Sequence, residues 1–214
     1  MEPDVKGILG LLRQKISPEP PSDAPDSAMF ATAFQDLGVD ASLLVPWDSR
    51  AVDVGARRLE PGRGTKLLQT LWQKDKYMSL LDAGAISRLE RFLDFASVPP
   101  NQDIIRQDEY GNFMVVILSG AVAVDRLQPW GERLRLAETR PGEILGEMSL
   151  LDSGIRFSAC TTLSDCDIAV LSADSMDDML NSDPLLAANL IALLARKLSL
   201  RLRVVSARLS EKKD

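Results

Sequence analysis

The chain has 214 residues, 45% hydrophobic and 26% charged, close to the globular average, which excludes collagen-like, purely coiled-coil and fully disordered classes. It holds no histidine, so Ser-His and Cys-His nucleophile pairs and imidazole metal sites are ruled out. Its two cysteines, Cys160 and Cys166, cannot complete a Cys₄ or Cys₃His zinc centre, and its net charge of −6 argues against wholesale electrostatic binding of nucleic acid. The expectation is a binding or regulatory protein, not an enzyme, with no metal and no resident cofactor. The longest apolar stretch, residues 185–195, is too short to span a bilayer. The start, Met1-Glu2-Pro3-Asp4, lacks the basic and apolar segments of a secretory signal, so a cytoplasmic protein with reduced thiols is expected.

Along the chain, Val5, Ile8, Leu9, Leu12 and Ile16 fall on one face of a short helix. Residues 17–28 carry four prolines and no large apolar side chain, which reads as a solvated linker. A weaker helical pattern follows at Phe30, Phe34 and Leu37. The basic stretch Arg57, Arg58, Arg63 and Lys66 contains Pro61, Gly62 and Gly64 and reads as a solvated loop. Helices are expected over residues 65–74 and 80–95.

At Ala96 the hydrophobic period changes. Turns at 98–100, 108–112, 128–131 and 140–143 separate short strands expected at 103–107, 113–118, 121–124 and 133–137, with Ser119-Gly120 as a bulge or bend. Short strands at such spacing indicate an antiparallel sandwich or barrel. A short helix over 174–181, capped by Ser172 or Asp174, precedes a long one that opens at Asp183-Pro184 and runs to about residue 209. The stripe Leu194, Leu198, Leu202, Val205 and Leu209 continues past the strand region and calls for a second helix against it. The expected divisions are 1–28, helix and linker; 29–79, a helical or irregular extension; and 80–211, the strand domain with its long helix at 184–209.

The densest signal is Pro-Gly-Glu-Ile-Leu-Gly-Glu-Met-Ser-Leu-Leu-Asp-Ser-Gly-Ile-Arg-Phe-Ser-Ala at 141–159. Gly146 lets backbone approach a ligand, a helical turn after it directs free amides at an anion, and Arg156 supplies a forked countercharge. Glu147, acceptor-only when ionised, suits a sugar hydroxyl. Alone, the Gly-Glu…Arg spacing is weak and favours a surface turn with an incidental Glu147–Arg156 salt bridge.

In its context the segment resembles the phosphate-binding cassette of the cyclic nucleotide-binding domain family, which includes bacterial catabolite activators, gated channels and kinase regulatory subunits. The supporting motifs, in order, are Ile117-Leu118-Ser119-Gly120-Ala121-Val122, Pro141-Gly142-Glu143, the cassette, Asp165-Cys166-Asp167-Ile168-Ala169-Val170-Leu171-Ser172 and Asp183-Pro184. The resemblance implies an α+β fold: an antiparallel, jelly-roll-like β-roll of about eight strands, flanked by helices. It also implies one bound cyclic mononucleotide, cAMP or cGMP, with cAMP expected. Glu147 would take the ribose 2′-hydroxyl, Arg156 the cyclic phosphate, and backbone at Gly146, Met148 and Ser149 the rest of the cradle. On the closest spacing Arg201 and Leu202 would fall where the last helix meets the base.

Two features depart from the family pattern. Phe157 stands where family members carry a small residue, and Ser158 or Ala159 takes that place if the strand start shifts by one. No helix-turn-helix is expected after the long helix, and DNA is not an expected partner because the arginines of that helix are needed to solubilise it. Two readings stay open. One is a stand-alone cyclic nucleotide sensor relaying ligand state to a protein partner through its N-terminal segment or C-terminal helix. The other is a cassette that no longer binds nucleotide, on a dimeric interaction module. Both include a homodimer through the C-terminal helix.

Overall fold

The computed structural model describes residues 29–211, with the backbone alone at 208, 209 and 211. The helix expected over residues 5–16 and its linker lie outside the described residues. Nine strands form two antiparallel sheets among the described residues. One sheet has the order β1 (Arg57–Arg58), β2 (Asp94–Val98), β9 (Cys166–Ser172), β4 (Phe113–Ile117), β7 (Ile144–Leu145). The other runs β3 (Asp103–Ile105), β8 (Ala159–Thr162), β5 (Val122–Leu127), β6 (Arg133–Thr139). The helices are α1 (Ala33–Asp36), α2 (Trp47–Asp53), α3 (Pro61–Trp72), α4 (Ala83–Leu89), α5 (Glu147–Asp152), α6 (Ala173–Ser182) and α7 (Pro184–Glu211).

The unbroken apolar run of β4 has a physical reason, because both faces of this central strand are covered. Phe113, Val115 and Ile117 pack into the core between the sheets. Met114 and Val116 turn to the second core, built with α3, α4, α6 and α7. Ile168 and Val170 against Ala169 and Leu171 repeat the division on β9, which pairs with β4 from Phe113↔Ser172 to Ile117↔Ile168. A strand buried on both faces loses the polar alternation of a surface strand. The edge strand β6 is exposed from Arg133 to Glu138 and buried only at Thr139.

Several local expectations are corrected. Pro61, Gly62 and Gly64 do not break α3 but begin it: proline sits at the first helical turn, where its missing N–H costs nothing. Gly64 is buried there because a Cβ would stand 2.1 Å from the Phe95 ring, so glycine lets α3 lie on β2. Arg57 and Arg58 are strand β1, paired with Ser97 and Ala96, where a loop was expected. The helix expected over 80–95 is shorter, α4 plus a 3₁₀ turn Glu90–Phe92, and strand β2 begins at Asp94. Phe95, Ala96 and Val98 alternate too little to read as a strand without β9 beside them. The strand expected over 103–107 stops at Ile105. Ser172 caps α6 by accepting from the Ser175 N–H at 3.1 Å, as anticipated.

The segment before the roll is bound to it. Phe30 and Phe34 are buried, and the Phe30 and Ala31 N–H groups donate to the Asp177 carboxylate of α6 at 2.8–3.1 Å. Trp47 of α2 meets Phe113 edge-on at 5.6 Å between ring centroids. Among the described residues no helix is long and apolar enough to cross a membrane.

Candidate functional site

The cassette opens at the end of β7, where Gly146 takes φ +76° at the N-terminus of α5. A Cβ there would meet Arg156 Nη1 at 2.6 Å and Ile105 at 2.8 Å, so both conformation and crowding demand glycine. Ser153, also left-handed at φ 54°, ends α5 after six residues and turns the chain toward Arg156.

Arg156 is 3% exposed. Its Nη1 donates to the Gly146 carbonyl at 2.8 Å and its Nη2 to the Phe113 carbonyl at 2.6 Å, while the guanidinium lies 4.6 Å from the Phe113 ring centroid. Two of its five N–H groups are spent on main chain, and no carboxylate comes within ion-pair distance among the described residues. Burial pulls its pKa down to about 10, which still leaves it charged at neutral pH. Its backbone is clamped to the 108–111 turn: Arg156 N–H donates to the Glu109 carbonyl at 2.8 Å, and Asp108 N–H to the Arg156 carbonyl at 2.9 Å. Glu109 in turn pairs with the buried Arg50 of α2. Gly111 leaves the room in which the guanidinium lies, since a Cβ would come within 2.7 Å of Nε.

Glu147 is 5% exposed and does not bridge Arg156. Its Oε1 accepts from Arg201 Nη1 of α7, and Arg201 Nη2 donates to the Ile144 carbonyl at 3.2 Å. Burial pushes the Glu147 carboxyl above its ordinary range, with Arg201, its own amide and Arg156 opposing. The surface-turn reading with a Glu147–Arg156 bridge is thereby corrected: both side chains are buried, and α7 supplies the bridge.

These groups line a cradle of about 110 Å³ with Ile105, Leu145, Met148, Ser149, Phe157, Ser158 and Cys160. Burial drives the Cys160 thiol up to about 12, so it stays neutral and inert. Val124, Leu145, Phe157, Ser158 and Arg201 also line a wider, mostly apolar groove of about 700 Å³ against Leu136, Lys197, Leu200, Val204 and Val205. All eight residues anticipated from sequence, Gly146, Glu147, Met148, Ser149, Arg156, Phe157, Ser158 and Arg201, therefore border one cavity. Met148 is the most peripheral, half exposed. Phe157 lies outside the sandwich core. It precedes the first residue of β8, is 51% exposed, and carries the Arg126 guanidinium 3.9 Å from its ring centroid.

Sequence reasoning missed Gly111, Phe113, Glu109, Arg50 and Arg126. Only Gly111, in a turn before an apolar strand, carried a local signal.

The profile of the cyclic nucleotide-binding domain family matches residues 95–183, the roll and its cassette. The chain is thus similar, over residues 95–183, to the cyclic nucleotide-binding domain family. It is 36% identical over 100 residues to the cyclic AMP receptor protein of Thermus thermophilus, covering 47% of this chain and 46% of that one. Among solved structures, a cyclic nucleotide-binding domain from Methylobacillus flagellatus superposes with a TM-score of 0.67 at 23% identity, covering 74% of this chain and 90% of the other. The catabolite activator protein of Thermus thermophilus superposes with a TM-score of 0.52 at 29% identity, covering 64% and 63%. The chain spans about half the length of the curated relatives it matches.

Proposed function

We propose that this domain binds a cyclic mononucleotide, cAMP first, and passes its occupancy to a protein partner through α7. One observation carries the reading. Arg156 is a buried cation with no ion-pair partner among the described residues, and it lines the same cradle as the Glu147 carboxylate. Burying an unpaired charge is costly, and a ligand phosphate entering the cradle would offset that cost. The Glu147 carboxylate keeps acceptor capacity beyond the bond to Arg201 and suits the ribose 2′-hydroxyl. The cradle holds little more than phosphate and part of the sugar, so the base extends into the adjoining groove beneath α7.

Transmission follows from how α7 is held. Beyond Arg201–Glu147, Lys197 pairs with Asp75 at 2.9 Å, and the Arg196 guanidinium lies 4.9 Å from the Tyr77 ring centroid. A nucleotide that repositions Glu147 therefore acts on the helix directly. Titration calorimetry with cAMP on wild type and Arg156→Ala tests the reading: saturable binding lost in the variant is expected, and no binding by wild type would overturn it.

A second reading, a ligand-free dimeric interaction module, draws on Arg201 already occupying Glu147 in this structure. The same titration separates the two.

A further inference from the structure

The junction between cradle and groove is where this chain departs most from a small-residue cassette. Phe157 lines both spaces, with Ser158, Val124, Leu145 and Arg201. A half-exposed aromatic ring beside a cavity is normally free to swing. This one is held: Arg126 of β5 places its guanidinium 3.9 Å from the ring centroid and donates from Nη1 to the Phe157 carbonyl. The guanidinium covers one face of the ring, and the remaining exposure, 51%, belongs to a ring that borders the cavity. Phe157 is thus one of five residues shared by the cradle that Arg156 lines and the groove between β6 and α7.

We propose that Phe157, backed by Arg126, is a stacking surface for the base of the bound nucleotide and makes the site prefer purine over pyrimidine cyclic nucleotides. The inference rests on the nucleotide-binding reading above and adds the determinant of base class. Its physical content is simple. Stacking strength grows with the area of overlapping rings, so a bicyclic base gains more than a monocyclic one. The cation against one face fixes the ring's orientation, so little side-chain freedom is lost when a base arrives. Leucine at this position would keep the bulk and lose the π face.

The test is calorimetric titration of wild type, Phe157→Leu, Phe157→Trp and Phe157→Ser with cAMP, cGMP, cCMP and cUMP. Wild type is expected to bind the purine pair roughly tenfold or more tighter than the pyrimidine pair, Phe157→Leu to reduce that ratio to about threefold or less, and Phe157→Trp to preserve it. An unchanged ratio in Phe157→Leu, with binding that still depends on Arg156, would overturn the stacking role and leave the nucleotide-binding reading intact. Tighter purine binding by Phe157→Ser would overturn it as well, because the ring would then be an obstruction. Failure of wild type to bind all four would overturn both.

Discussion

Glu147 and Arg201, fifty-four positions apart in sequence, form an ion pair that joins the cassette to the C-terminal helix. Glu147 is held 5% exposed on the first turn of α5, whereas the Arg201 side chain is half in solvent. The pair is thus partly screened, and its worth to stability is modest, about 1 kcal/mol. A double-mutant cycle with Glu147→Gln and Arg201→Ala, read by urea unfolding, should give a coupling of that order. Additive single effects would show that the pair adds nothing to the helix's other attachments, at Asp75, Tyr77 and the core packing of Leu186, Leu190, Leu193 and Leu194.

The same carboxylate gives a pH signature. Burial raises the Glu147 pKa, so the folded state holds this proton more readily than the unfolded chain. Ionising Glu147 therefore costs stability; the cost is present above the folded pKa and fades as pH falls toward the ordinary glutamate value. Relative to Glu147→Gln, wild type should gain stability as pH falls through that window. A carbon-13 carboxyl titration of Glu147 should place its midpoint above the ordinary glutamate range.

Arg156 and Gly111 make a paired prediction. Arg156→Ala should weaken cAMP by roughly 2–5 kcal/mol, since the buried phosphate loses its charged partner. Gly111→Ala should weaken it too, without removing any polar group, because the new Cβ lands within 2.7 Å of Arg156 Nε. The Gly111 backbone is not in the left-handed region, so displacement of the guanidinium is the main effect. A Gly111→Ala protein with unaltered affinity would show that the guanidinium relocates freely.

The Asp177 carboxylate receives the Phe30 and Ala31 amides in a largely buried setting. Asp177→Ala should cost about 1–3 kcal/mol by leaving those donors without a partner. Removal of residues 1–28 should leave the melting transition nearly unchanged, because the attachment made by Phe30 and Phe34 remains. Scanning calorimetry on both proteins distinguishes the two outcomes.

Past the cassette, α7 exposes Leu202, Val204 and Val205. We expect these to meet a second copy of the helix, each fully buried side chain contributing roughly 1.5–3 kcal/mol. Light scattering should give a dimer for wild type and a monomer for Leu202→Glu combined with Val205→Glu. A monomeric wild type would remove the dimer from the proposal.

What the sequence determined alone was whatever rests on local pattern. The apolar run at Phe113–Ile117, the Gly146-Glu147…Arg156 spacing, the Ser172 cap and the Pro184 start each depend on residues a few positions apart, and each stands in the structure. Tertiary structure decided what depends on distant partners. Alternation cannot say that Phe157 turns outward, because the side chain that holds it, Arg126, lies thirty-one positions away. Charge pairing read from spacing gives Glu147 to Arg156, whereas helix packing brings in Arg201 and leaves Arg156 to two carbonyls. Strand β2 is called into being by β9, seventy positions on, since hydrogen bonding to a partner and burial between two cores override a weak local preference. The cassette's residue types are written in the chain; which of their charges is left without an ion-pair partner is decided by the packing of α7 across the roll.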